Sequence, residues 1–208
     1  MSTKIGLISD VHASPEPVKE ALSVFQDEHV KFSICAGDIA GYGNELEQTL
    51  QLLVDNECQM ILGNHDSWFL ESPQKKENKW ITNLYQNTSL TLNFYIEGKN
   101  VHVVHASPPS SQRDGIKLLD MDGKLLSEQK DQWQTKIDKY DYDVLVVGHT
   151  HQVYAEQLGS TLLINPGSTV FNHTCMILTL PEMDVQIIPL SDKEPIFAWN
   201  WGMQRTNV

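Results

Sequence analysis

The chain has 208 residues, enough for one domain with a real core and too few for two comfortable ones. A formal charge of -12 and a pI near 5.0 exclude a protein that follows a phosphate backbone along a basic stripe. Three cysteines, Cys35, Cys58 and Cys175, with no CxxC spacing exclude a disulfide framework and a thiolate zinc site, and point to reducing surroundings.

Met1-Ser2-Thr3-Lys4 runs directly into a strand-like segment ending at Asp10, which leaves no room for a cleavable signal peptide. No apolar stretch approaches the roughly 18 residues of a membrane span, so the expectation is a soluble cytoplasmic protein that engages no membrane. Ile5-Gly6-Leu7-Ile8 reads as a strand buried on both faces. Ser14-Pro15-Glu16-Pro17 opens a helix in which Val18, Ala21, Leu22 and Phe25 form an apolar stripe. Lys31 to Ala36 reads as a second strand, Glu45 to Asp55 as a helix with Leu46, Leu50 and Leu53 inward, and Gln59 to Leu62 as a third strand. This β-α-β-α-β series implies a mostly parallel sheet with right-handed crossovers.

Beyond Asp66 the pattern predicts a polar loop over Ser72 to Lys79, a helix around Trp80 to Tyr85, and a hairpin from Phe94-Tyr95-Ile96 through Glu97-Gly98-Lys99-Asn100 to Val101–Val104. A loop over Ser107 to Gly115, a helix over Leu125 to Lys139 and a buried strand over Val144 to Val147 follow. From Gln152 to Leu190 short β runs alternate with turns, and this meander is expected to supply a second sheet. The expected fold is α/β, a four-layer α-β-β-α sandwich of two mixed sheets flanked by helices. Residues 1–190 make up its single domain and 191–208 an aromatic C-terminal extension.

Five short segments carry nearly every residue type needed to hold two divalent cations side by side. They are Asp10-Val11-His12, Gly37-Asp38, Gly63-Asn64-His65-Asp66, His105, and Gly148-His149-Thr150-His151. Each follows an apolar, β-branched run, so it should sit where a strand has just ended, the place where α/β folds keep their chemistry. Asp10 and His12 lie two apart, so in an extended segment they share one side and grip the same ion. A carboxylate with an imidazole suits Mn, Fe or Zn rather than Cu(I). Asp38 follows a glycine that permits a sharp turn, and its two oxygens make it the natural bridge. Asn64 offers a carbonyl oxygen, His105 and His149 offer imidazoles, and His151 can turn to the other ion. Any one of these motifs is weak, because Asp-x-His and Gly-Asp commonly serve turns and caps. Together they consume five of the eight histidines, which a chain of plain turns does not need.

In this order, DxH, GD, GNHD, a lone His and GHxH resemble the signature of the calcineurin-like metallophosphoesterases. Gly41-Tyr42-Gly43, His105-Ala106-Ser107-Pro108 and Ile164-Asn165-Pro166-Gly167-Ser168 resemble its small bacterial and archaeal phosphodiesterase branch, with Ala106 a departure from the more usual glycine. The likeness covers roughly residues 4 to 190. It implies one metal held by Asp10, His12, Asp38 and His151 and another by Asp38, Asn64, His105 and His149. Two ions, from among Mn, Fe, Ni and Zn and about 3.5–4 Å apart, would then prepare a bridging hydroxide for in-line attack on phosphorus. For His65 it implies a place over the phosphate outside both ligand sets, where the ring stabilises or protonates the leaving oxygen while Asp66 orients it.

The activity so implied is hydrolysis of a small or nucleotide-like phosphodiester. A phosphomonoesterase and a dinucleoside polyphosphate hydrolase share the same metal centre. A non-catalytic protein-binding scaffold is the alternative of another class, although a retromer-associated member of that kind lacks the histidine that His65 supplies. The acidic balance makes a long nucleic acid the least expected substrate. Outside the motifs, His29, His102 and His173 read as surface or strand residues and Cys35 as core. Trp68 and Phe69 read as inward packing ahead of nucleobase stacking. Arg113 either reaches a phosphate or is solvated, and Asn165 is expected to fasten a turn. Trp199 and Trp201 either cover an edge of the core or meet a second copy of the chain in a homo-oligomer.

Overall fold

Apolar runs without polar alternation form strands that must be covered on both faces, and this requirement sets the layering. The computed structural model of the chain describes residues 2–73 and 78–200. The first half comprises β1 (Thr3–Ile8), α1 (Pro15–Asp27), β2 (Phe32–Cys35), α2 (Leu46–Asp55), β3 (Gln59–Met60), α3 (Asn64–Glu71) and α4 (Lys79–Gln86). The second comprises β4 (Thr91–Ile96), β5 (Lys99–Val104), α5 (Ser127–Ile137), β6 (Val144–Val146), β7 (Val153–Leu158), β8 (Thr161–Pro166), β9 (Thr174–Leu180) and β10 (Asp184–Pro189). The loop expected over Ser72–Lys79 lies partly outside the described residues, and Trp201 lies wholly outside them.

Two mixed five-stranded sheets result, ordered β10-β9-β1-β2-β3 and β4-β5-β6-β8-β7. Strands β1, β2 and β3 are parallel, as β-α-β crossovers require, and so are β5, β6 and β8. The tail from Gln152 to Leu190 does not build the second sheet by itself, contrary to the expectation from its meander pattern. That sheet already begins with the β4–β5 hairpin, and the tail divides: β7 and β8 complete it, while β9 and β10 return to β1. Burial explains the split. Strand β9 is covered almost throughout and fits only an interior position, whereas β10 is largely exposed and takes the edge.

Alternate side chains of each strand face different layers. Ile5 and Leu7 of β1, with Ile34, Met176 and Leu178, meet Val101, Val103, Val144, Val146 and Ile164 of the facing sheet. On the outer side of the first sheet, Ile8, Cys35 and Ile177 pack on Val18, Leu50 and Leu53 of α1 and α2. On the outer side of the second, Val104, Leu145 and Leu163 pack on Ile137 and Trp133 of α5. Helix, sheet, sheet and helix therefore form four layers. The segment after β10 is not detached from them: the Val153 N–H donates to the Phe197 carbonyl at 2.8 Å and the Trp199 N–H to the His151 carbonyl at 3.1 Å. All three cysteines are buried free thiols. Among the described residues no helix is long and apolar enough to cross a membrane.

Leu7 is fully buried between the sheets, so Leu7→Ala should cost about 2–5 kcal/mol, while Tyr95→Ala on β4 should stay within about 0.5 kcal/mol. Urea unfolding of both variants checks this, and equal midpoints for the two would contradict the assignment of the inter-sheet core.

Candidate metal centre

Each of the five motifs begins shortly after the carboxyl end of a strand: β1, β2 and β3 in the first sheet, β5 and β6 in the second. Backbone bonds knit the loops together. The Asp10 N–H donates to the Gly37 carbonyl at 3.0 Å, the His12 N–H to the Asp38 carbonyl at 3.1 Å, and the Gly148 N–H to the His105 carbonyl at 2.8 Å. A Cβ at Gly148 would run into the Ser9 hydroxyl and the Asp10 carboxylate, so only glycine lets the loops of the two sheets approach this closely. Gly41 has φ +107, and a Cβ there would run into the His65 ring.

Asp10, His12, Asp38, His149 and His151 all have φ between 45 and 67°, a region L-residues seldom enter. The extended geometry expected of Asp10-Val11-His12 is therefore absent. Left-handed turns aim the two side chains at one place instead. Ligand atoms of Asp10, His12 and His151 lie within 4.8 Å of one another, as do those of Asp38, His105 and His149, and a third such group of His12, Asp38 and His65 links the two. The closest pairs are His12 Nε2 to His151 Nε2 at 3.1 Å, His151 Nε2 to Asp10 Oδ1 at 3.4 Å, and His105 Nε2 to Asp38 Oδ1 at 3.3 Å. Asn64 Oδ1 stands 2.8 Å from His149 Nδ1 and 3.2 Å from His105 Nε2.

The outer nitrogens decide the tautomers. His12 Nδ1 donates to the Ala40 carbonyl at 3.1 Å and His105 Nδ1 to the Ala36 carbonyl at 2.7 Å, so in the neutral rings each Nε2 turns a lone pair inward. Buried lone pairs and carboxylates that converge with no donor between them need a cation or a proton there. The Asn64 amide fits neutral rings with its NH₂ turned toward them, 2.8 Å from His149 Nδ1 and 3.2 Å from His105 Nε2, whereas a cation there would call for its oxygen.

In the metal-free protein protons take that place. Burial would depress the His105 imidazole, but Asp38 and Asp10 outweigh it and hold it at about 9. Burial would raise Asp10 and Asp38, yet His151 and His105 beside Asp10, and His105 beside Asp38, hold both carboxyls below their ordinary range. His12 goes the other way: burial outweighs the same carboxylates and lowers it to about 4.

His65 is half-buried, with its ring centroid 4.8 Å from that of Tyr42 and 4.7 Å from that of Trp68. Asp66 does not orient that ring. Its buried carboxylate accepts the N–H groups of Ala40 at 2.7 Å, Gly63 at 2.8 Å and Ile39 at 3.3 Å, which fastens the loop after Asp38 to the start of α3. Burial and the Asp38 charge push the Asp66 carboxyl up to about 6. Phe69 packs inward against Tyr85, as expected, but Trp68 is 45% exposed and lines the cleft. That cleft, of about 380 Å³, is also lined by Arg113, Lys117 and Trp199. Asn165 fastens the GHTH loop, donating to the Gly148 carbonyl and the Thr150 hydroxyl, both at 3.0 Å. His102 is a strand residue stacked on Tyr142.

Several supporting residues carry no spacing signal in the sequence. The Ser9 hydroxyl donates to Asp10 Oδ2 at 2.6 Å, the Ser168 hydroxyl to the Asp10 carbonyl at 2.6 Å, and the Asn172 amide to the His151 carbonyl at 2.9 Å. Phe171 stacks between the His151 and Trp199 rings. The signals the sequence does offer are the adjacency of Ser9 to Asp10 and the place of Ser168 at the end of the Ile164–Ser168 motif.

The sequence model of the calcineurin-like phosphoesterase superfamily domain matches residues 3–182. The chain belongs to this superfamily, and its class is that of metal-dependent hydrolases acting on phosphoester bonds. An uncharacterized protein of Methanocaldococcus jannaschii is 26% identical over 184 residues, a match that covers 80% of this chain and 70% of the relative. A phosphodiesterase of the same organism is 24% identical over 168 residues, covering 79% and 82%. The crystal structure of a hypothetical protein from Pyrococcus horikoshii OT3 superposes with a TM-score of 0.74 at 14% identity, covering 98% of this chain and 91% of that one.

The folded pKa of His105, about 9, lies above its ordinary 6.5, so its contribution to the stability of metal-free protein is complete below pH 6.5 and is lost as pH rises through 9. The melting temperature of chelator-treated protein should fall over that interval, and metal-loaded protein should not follow it. A flat profile for the metal-free form would remove the His105–Asp38 pair from the account.

Proposed function

We propose that the chain is a dinuclear metal-dependent phosphodiesterase acting on small, nucleotide-like esters. The observation that carries this reading is Asp38, whose carboxylate stands both in the group with His12 and His65 and in the group with His105 and His149, a position that suits a bridge between two cations. In this reading Asp10, His12, Asp38 and His151 hold one ion, and Asp38, Asn64, His105 and His149 hold the other. When bound, two ions such as Mn, Ni, Fe or Zn lower the pKa of water and polarise phosphate oxygens.

The chain's own groups do the rest. Burial lowers the His65 imidazole despite the pull of Asp38 and Asp10. A ring neutral at neutral pH then stabilises the leaving oxygen through an N–H hydrogen bond rather than as a full imidazolium. Asp66 is a positioning residue, holding the loop that carries Asp38 against the helix that carries His65. The catalytic unit is residues 1–190, with 191–200 adding to its wall. Three buried thiols fit reducing, cytoplasmic surroundings. The name of the Methanocaldococcus relative supports a diester substrate, and the acidic charge of the chain argues against a long nucleic acid.

Metal analysis and turnover separate the roles. Asp38→Asn should lose bound metal and activity more severely than Asn64→Ala, whereas His65→Ala should keep its metals and lose about 10²–10⁴-fold in rate. Two ions per chain retained in Asp38→Asn would show that the bridge is assigned wrongly.

Substrate class is tested with aryl esters in the presence of Mn or Ni. The diester should be preferred over the monoester, with much slower action on phosphoproteins. A monoester preference of about tenfold in kcat/KM, or ~1.4 kcal/mol, would overturn the diesterase reading and leave the metal centre intact.

A further inference from the structure

Beside the metal cleft lies a second groove of about 360 Å³. Tyr42, His65 and Trp68 line both spaces, so these three rings form the wall between them. The rest of the groove is Ala13, Ala40, Leu46 and Phe69 with Ser72 and two glycines, and among the described residues no Asp, Glu, Lys or Arg lines it. The metal cleft differs in this respect, because Arg113 and Lys117 line it and neither makes an ion pair among the described residues. Trp68 is 45% exposed although it belongs to a helix whose next residue, Phe69, packs into the core.

We propose that this groove is the leaving-group subsite, and that it takes an uncharged planar or apolar alcohol held against Trp68. The inference rests on the proposed role of His65, which places the departing oxygen on the same wall. Hydrolysis of such a diester forms a P–O bond from water and breaks the P–O bond to the alcohol. One proton of the water leaves with the alcohol, and the other is released as the phosphomonoester ionises. A phosphoanhydride would send a charged phosphate into the groove, where no lysine or arginine among the described residues offsets its desolvation. The retained half of the substrate, which keeps the phosphate charge, faces the cleft with Arg113 and Lys117. The substrate class is therefore an ester with an aromatic or apolar leaving alcohol, in preference to a polyphosphate.

Calorimetric titration of the Mn-loaded protein with two phosphinates, which mimic a diester and cannot be hydrolysed, separates the possibilities. Dibenzylphosphinate should bind about tenfold or more tightly than dimethylphosphinate, the scale of a ring stacked on an aromatic side chain. Trp68→Ala should remove most of that difference through the dibenzyl ligand alone, and Trp68→Phe should restore part of it. Trp80→Ala, in α4 outside both spaces, should behave as wild type. Equal affinities for the two ligands, or a preference that survives Trp68→Ala, would overturn the subsite while the diesterase reading stood. Binding of neither ligand to protein that also fails to hydrolyse aryl diesters would overturn both.

Discussion

Asp10 and Asp38 are carboxylates with almost no contact with water, at 0% and 2% exposure, and most of the site follows from what it takes to keep them there. Withdrawing a carboxylate from water costs several kcal/mol unless donors and opposite charge replace the solvent. Asp10 accepts from the Ser9 hydroxyl and from the His149 N–H at 3.0 Å, while Asp38 accepts the His65 N–H at 2.8 Å. Those donors come from both sheets. The remaining demand is for positive charge, which a protonated His105 meets when metal is absent and cations meet when it is present. The five left-handed residues are explained the same way. Each such conformation costs about 1–3 kcal/mol and persists only where the surroundings over-determine it, here through the knitted loops.

Much of this was legible in the amino-acid order, and for a definite reason. A strand that ends in a polar residue places that residue at the sheet's edge, so five apolar runs each followed by Asp, Asn or His locate the centre before any coordinates do. The same logic fails for Asp66. Neighbours on a helix point about 100° apart, so a carboxylate adjacent to His65 in sequence turns away from it in space, toward the backbone of the preceding loop. Trp68 and Phe69 are separated by the same angle, and Phe69 with Leu70 packs on the core while Trp68 is turned toward the cleft. Local reading also missed Trp199, because its place depends on Ala198 bridging to Gln152, a pairing between segments that share no motif. The return of β9 and β10 to the first sheet was hidden too, since alternating runs and turns describe a meander equally well whichever sheet it joins.

The division of the candidate ligands between the sheets ties the chemistry to the fold. Asp10, His12, Asp38 and Asn64 follow strands of the first sheet, and His105, His149 and His151 follow strands of the second. Two of the three close-set groups draw on both sheets: one joins Asp10 and His12 to His151, and another joins Asp38 to His105 and His149, while the linking group of His12, Asp38 and His65 comes from the first sheet. The inter-sheet core of Ile5, Leu7, Val103 and Val146 is thus what brings these two groups together, and metal bound there would stabilise the packed sheets in return, by RT ln(1 + [L]/Kd). Gly148 sits at the seam of this arrangement. It is where the second sheet's loop touches Ser9 and Asp10 of the first, and a single added methyl group there would push on the Ser9 hydroxyl and the Asp10 carboxylate and drive the halves of the site apart.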